Sequence, residues 1–80
     1  MPNFFNSNLK YLRKAKGMSQ QEIADKIGID RSSISRWENG DMGATIDKAI
    51  DIAKLFDIPI PEFLGKDLSL DDKVKNNKGE

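Results

Sequence analysis

Residues 19–40 read Ser19-Gln20-Gln21-Glu22-Ile23-Ala24-Asp25-Lys26-Ile27-Gly28-Ile29-Asp30-Arg31-Ser32-Ser33-Ile34-Ser35-Arg36-Trp37-Glu38-Asn39-Gly40. Ser19 and Glu22 stand at capping-box spacing. The serine oxygen can accept from the amide three residues on, while the Glu22 carboxylate reaches back to the serine amide. A helix over residues 20–27 follows, with Ile23, Ala24 and Ile27 inward. Gly28 breaks it within two turns, at a point that wants a positive φ. Asp30 offers a second N-cap, and a helix over residues 31–38 buries Ile34 and Trp37. Two short helices thus meet around the turn Gly28-Ile29-Asp30. Ala24 lies where they must approach closely, and Ile34 plugs the angle between them.

The flanking sequence is helical too. Phe5, Leu9, Leu12 and Ala15 recur at steps of three and four before Gly17, which predicts a helix over residues 3–16. After Asn39-Gly40 comes a loop over residues 41–44. Thr45 then caps a fourth helix with Asp47 in its first turn. Ile46, Ala49, Ile50, Ala53 and Phe56 form its expected apolar stripe. Pro59 and Pro61 prevent that helix from continuing. Pro61 suits the first turn of a short fifth helix over residues 61–64, closed by Gly65. No stretch alternates apolar and polar residues as a strand would. The expected fold is all-α, with five helices packed as one domain over residues 1–65. Residues 66–80 are eight-fifteenths charged. They read as a polar tail with a short helix near residues 70–75 and disorder after it.

Composition narrows the functions open to such a chain. Among its 80 residues there is no His and no Cys. The usual general base near neutral pH and the commonest metal ligands are therefore missing. Ser, Lys and Asp occur without a triad-like arrangement, so neither an enzyme nor a bound metal or cofactor is expected. No run approaches the ~18 apolar residues that span a bilayer. No signal peptide is read, and a cytoplasmic location is the expectation. Thirteen basic and thirteen acidic side chains cancel. The cancellation hides an asymmetry: residues 1–40 carry seven basic and four acidic groups, and residues 41–80 carry six and nine. The first half is the one suited to an anionic partner.

The spacing across residues 20–40 is that of a helix-turn-helix. The chain resembles the lambda repressor and Cro type, or XRE family, of helix-turn-helix regulators. The resemblance is carried by Leu9-Lys10-Tyr11-Leu12-Arg13, Met18-Ser19-Gln20-Gln21-Glu22-Ile23-Ala24, Ile34-Ser35-Arg36-Trp37-Glu38-Asn39-Gly40 and Ile52-Ala53-Lys54-Leu55-Phe56. It implies a five-helix lambda-repressor-like fold and a sequence-specific regulator of double-stranded operator DNA. A probe of the major groove by the third helix is implied as well. By that resemblance Arg31, Ser32, Ser33 and Arg36 meet base edges. Arg suits guanine O6 and N7, to which it donates two parallel bonds. The ordinary alternative for these side chains is a solvated helix face.

The same resemblance places phosphates at the second helix N-terminus. Its free amides favour an anion, and Ser19, Gln20 and Gln21 add side-chain donors. Asn39 matches a phosphate-contacting position, and Arg13 matches the partner of Glu38 in a structural ion pair. Two departures stand out. The loop Asp41-Met42-Gly43-Ala44 lacks the Lys or Arg common in the family, and Pro59 replaces a capping Ser or Thr. A homodimer is expected on a two-fold site, with Leu55, Ile60, Phe63 and Leu64 as the contact candidates, although core packing is expected to take most of the area of Phe63 and Leu64. Repressor is the favoured role. The alternatives are an antitoxin holding a protein partner through the tail, the DNA-binding part of a longer regulator, or an interaction module without DNA binding.

Overall fold

The computed structural model describes residues 4–70. It contains α1 (Phe5–Ala15), α2 (Gln20–Ile27), α3 (Arg31–Asn39), α4 (Ile46–Phe56) and α5 (Ile60–Gly65), followed by a 3-10 turn at Leu68–Leu70. Among the described residues there is no strand.

Local chemistry explains where each helix starts and stops. The Ser19 oxygen accepts from the Glu22 amide at 3.0 Å, and the Ser19 amide donates to Glu22 Oε1 at 2.7 Å. This reciprocal cap starts α2 and contributes about 1 kcal/mol. Gly28 ends it with φ at +76°. A Cβ there would meet nothing within 4 Å, so the requirement is the left-handed backbone itself. At the end of α3 the Asp41 amide donates to the Arg36 carbonyl at 2.9 Å, across a left-handed Gly40. Both carbonyl and turn are thereby satisfied without a side-chain cap. Thr45 caps α4 by accepting from the Lys48 amide at 3.3 Å. The stop of α4 precedes both prolines. Asp57 adopts φ +59°, and the Ile58 amide returns to the Ala53 carbonyl at 2.9 Å. Asp tolerates the left-handed region better than most residues with a Cβ.

The core gathers one face of every helix. Leu9, Ile23, Ala24, Ile34, Ile52 and Phe63 are all fully buried. Phe5 holds two edge-on ring contacts, to Trp37 with centroids 6.0 Å apart and to Phe63 at 5.4 Å. It thereby ties α1 to both α3 and α5. The Phe4 amide also donates to the Leu64 carbonyl at 2.9 Å.

Three expectations change. On α4 the buried stripe is Ala49, Ile52, Ala53 and Phe56, while Ile46 is 59% exposed and Ile50 half-buried. Both registers share Ala49, Ala53 and Phe56, so helical spacing alone leaves them ambiguous. The core lies on the Ile52 side, and Ile46 is left at the rim in the first turn. On α1, Ala15 is exposed and Asn8 joins the buried face instead. Packing also continues past Gly65. Leu68 is 1% exposed, and its amide donates to Asn8 Oδ1 at 2.9 Å. The charged residues around Leu68 masked this in the sequence. The short helix expected near residues 70–75 reaches the described part only at Leu70, which closes the 3-10 turn. The rest of it, and residues 76–80, lie outside the described residues.

Candidate nucleic-acid interface

The outer face of α3 follows from what its inner face buries. Ile34 and Trp37 point into the core, which turns Arg31, Ser32 and Arg36 outward as exposed side chains and leaves Ser33 half-buried. Ser32 and Arg36 are four residues apart and Ser33 and Arg36 three, so they share one face. Among the described residues the Arg36 side chain makes no hydrogen bond, and it extends freely from this face.

Through its side chain Gln20, at the start of α2, touches both ends of α3. Arg31 Nη1 donates to Gln20 Oε1 at 3.5 Å. Gln20 Nε2 donates in turn to Glu38 Oε1 at 3.1 Å. Glu38 also receives Arg13, whose Nε reaches Oε2 at 2.6 Å and whose Nη2 reaches Oε1 at 3.1 Å. Arg13 Nη1 closes the chain on the Met18 carbonyl at 3.0 Å. The hydrogen bond to Glu38 raises the Arg13 pKa, against the opposing effect of burial. With the Glu38 side chain 2% exposed and Arg13 14%, this pair is largely out of water. It fastens α1 to the end of α3, and Gln20 connects it to the start of α3.

The other expected site residues hold the following places. Ser19 is exposed and spends its oxygen on the α2 cap. Gln21 is exposed, with Nε2 donating to Asp25 Oδ1 at 2.9 Å one turn along. Asn39 is exposed as the last residue of α3. Leu55, Ile60 and Leu64 are half-buried against the core edge. Phe63 differs: at 0% exposure its whole area is used within the protomer, leaving none for a dimer contact. The aromatic contact to Phe5 is the physical reason.

For two residues already singled out, Gln20 as a phosphate donor and Asp30 as an N-cap, the structure adds side-chain bonds beyond those roles. Gln20 joins the ion pair to Arg31, which needed the tertiary approach of α1. Asp30 accepts hydrogen bonds from the hydroxyls of both Ser32 and Ser33, the latter at 2.9 Å. These two bonds hold its carboxyl below the usual carboxylate range. The signal was present in the sequence, since an N-cap Asp with serines two and three residues on is spaced for it. Among the described residues no group of His, Cys, Asp or Glu could hold a metal ion. No helix among them is long and apolar enough to cross a membrane.

Comparison with known proteins bears on this face. A helix-turn-helix family model matches residues 9–63. The HTH-type transcriptional activator BcrR of Enterococcus faecalis is 34% identical over 60 residues, covering 75% of this chain and 29% of BcrR. The cryptic phage CTXphi transcriptional repressor RstR of Vibrio cholerae is 26% identical over 73 residues, covering 90% of this chain and 66% of RstR. The chain therefore spans between about a third and two thirds of these relatives. The crystal structure of a transcriptional regulator from Listeria innocua superposes with a TM-score of 0.77 and 26% identity, over 92% of this chain and 75% of that one. With five helices in the expected order and the family model matched across all five, the chain belongs to the lambda repressor and Cro-type, XRE family of helix-turn-helix transcription regulators.

Proposed function

We propose that this chain binds operator DNA sequence-specifically as a dimer, laying α3 in the major groove, and acts as a transcriptional repressor in the cytoplasm. The observation that carries the reading is the outward face of α3. Arg31 and Arg36 stand a turn and a half apart on a helix whose other side is locked by Ile34 and Trp37. Arg36 is the strongest candidate for a base contact, because a free guanidinium can donate twice to guanine. Arg31, steadied by Gln20, and the serines of the first turn complete the set. Ser19, Gln20, Gln21 and Asn39 flank them as phosphate contacts. The exposed amides at the start of α2 supply the oriented donors such contacts need.

One protomer of this size spans few base pairs. A two-fold pair, joined through Leu55, Ile60 and Leu64, would place two α3 helices one DNA turn apart, about 34 Å. The repressor role draws on RstR, which aligns with most of this chain. BcrR shows that similar sequences also occur in an activator. Net neutrality makes general attraction to DNA weak, so discrimination rests on the specific contacts.

The test is selection of bound sequences from a random DNA pool, run for the wild type and for Arg36→Ala. The wild type is expected to enrich a two-fold symmetric site with half-sites about 10 bp apart. Arg36→Ala should still fold, and should lose preference at one base position per half-site by roughly 5-fold or more. An unchanged preference would remove Arg36 from the reading set. No enrichment by the wild type would defeat the proposal.

A further inference from the structure

Asp30 stands at the N-cap of α3, yet its side chain does not cap a backbone amide. Its Oδ2 accepts from the Ser32 hydroxyl, and its Oδ1 accepts from the Ser33 hydroxyl at 2.9 Å. A serine hydroxyl has one proton to give and two lone pairs to receive with. Here both protons are committed to an ionised carboxylate, the stronger kind of acceptor. What Ser32 and Ser33 have left to show a partner is lone pairs. Without Asp30 the same hydroxyls could turn and donate.

This matters because the two kinds of base differ in the major groove. Adenine presents the N6 amino group and cytosine the N4 amino group, both donors. Guanine O6 and thymine O4 at the corresponding place are acceptors. We infer that Asp30 is a specificity-determining residue: by holding the Ser32 and Ser33 protons, it makes the first turn of α3 select an amino base, adenine or cytosine, over a keto base. The inference rests on the DNA-reading proposal above and deepens it. A carboxylate among those lone pairs adds to the bias, since it repels O6 and O4 and can itself accept from cytosine N4. Arg31, whose Nη1 lies 3.5 Å from Gln20 Oε1, is the same in all three proteins compared below, so its contribution drops out of the comparison.

Random-pool selection with three proteins tests this: the wild type, Asp30→Asn, and the double variant Ser32→Ala/Ser33→Ala. Asn is as good an N-cap as Asp, so Asp30→Asn should melt within a few degrees of the wild type. The double variant marks the operator position that the serines face, as the one whose base preference collapses. At that position the wild type should favour adenine or cytosine over guanine or thymine by about 5-fold or more. Asp30→Asn should reduce that ratio to near one or reverse it, because its amide nitrogen donates to a serine oxygen and frees the hydroxyl proton. The inference is overturned if Asp30→Asn keeps the wild-type ratio, if the wild type prefers a keto base there, or if the serine variant changes no position. In each of those cases an enriched wild-type site still supports DNA reading. If the wild type enriches nothing, both fall.

Discussion

Replacing Asn8 with leucine is expected to cost about 3–5 kcal/mol of stability, although the two side chains are similar in size and the site is fully buried. Asn8 Nδ2 donates to the Phe63 carbonyl at 2.7 Å and to the Lys66 carbonyl at 2.6 Å. Its Oδ1 accepts from the Leu68 amide at 2.9 Å. One side chain of α1 thus satisfies three backbone groups where the chain leaves α5 and turns into the 3-10 segment. Leucine would strand the Phe63 carbonyl and the Leu68 amide in a dry place, each at about 1–3 kcal/mol, while the part-buried Lys66 carbonyl can turn to water; the gain in apolar area cannot offset that. The losses overlap, because freeing Leu68 also lets the segment rearrange. For a domain this small, the melting temperature should fall by roughly 15 °C or more. Thermal unfolding followed by circular dichroism measures it. A loss under about 1 kcal/mol would mean that water or a local shift replaces the Asn8 bonds.

The second large effect is expected at the pair beneath the reading helix. Arg13→Met leaves the Glu38 carboxylate, on a side chain only 2% exposed, with the Gln20 amide as its remaining side-chain partner among the described residues. Removing one member of a buried pair costs about 3–5 kcal/mol. Denaturant unfolding should show that loss in the midpoint. The double variant Arg13→Met/Glu38→Leu removes both charges, and apolar replacement of a whole pair is often neutral. Its stability should therefore recover to within about 1–2 kcal/mol of the wild type. DNA affinity should not recover with it. Gln20 loses the acceptor that fixes its amide, and Arg31 loses the oriented Gln20 oxygen. Recovered stability with fully recovered affinity would show that the chain from Arg13 to Arg31 does not support the reading face.

The residues that announced themselves in the sequence are those whose role is local. Ser19, Gly28, Gly40 and Thr45 act through nearby backbone, so spacing alone bounds α2 and α3 within a residue and sets the start of α4; the stop of α4 at a left-handed Asp57 carries no such signal. Ile34 and Trp37 followed because a helix that buries one face must expose the other, and this made the outer face of α3 legible as well. The Arg13 and Glu38 contact, 25 positions apart, came from family resemblance and not from spacing. Ile52 was lost to Ile46 and Ile50 because two stripes on α4 fit the same period. The choice between them depends on where α1, α2 and α5 stand. Asn8 and Leu68 were missed for a shared reason. A polar residue within an apolar stripe, and an apolar residue within a charged stretch, look like noise until each is seen to answer the other. For Phe63 the sequence allows both core packing and a dimer contact, because a six-residue helix is too short for its spacing to fix which side chains stay exposed; the ring contact to Phe5 decides for the core.

The charge asymmetry gains a location from the fold. Arg31 and Arg36 are both exposed on α3, while Asp47, Asp51 and Asp57 belong to α4 or its cap, alongside Lys48 and Lys54. The excess of basic over acidic groups in residues 1–40 is modest, seven against four, and it biases a neutral molecule to approach phosphates with that half.

Amide chemical-shift mapping on titration with the selected operator duplex tests the central claim most directly. The expected shifts concentrate at residues 19–21, 31–33, 36 and 39, fade as salt is raised, and leave the exposed rim at Ile46 and Asp47 unchanged. Shifts centred on α4 or α5 with the α3 face silent would contradict the account, since the helix-turn-helix would then be a scaffold for some other contact.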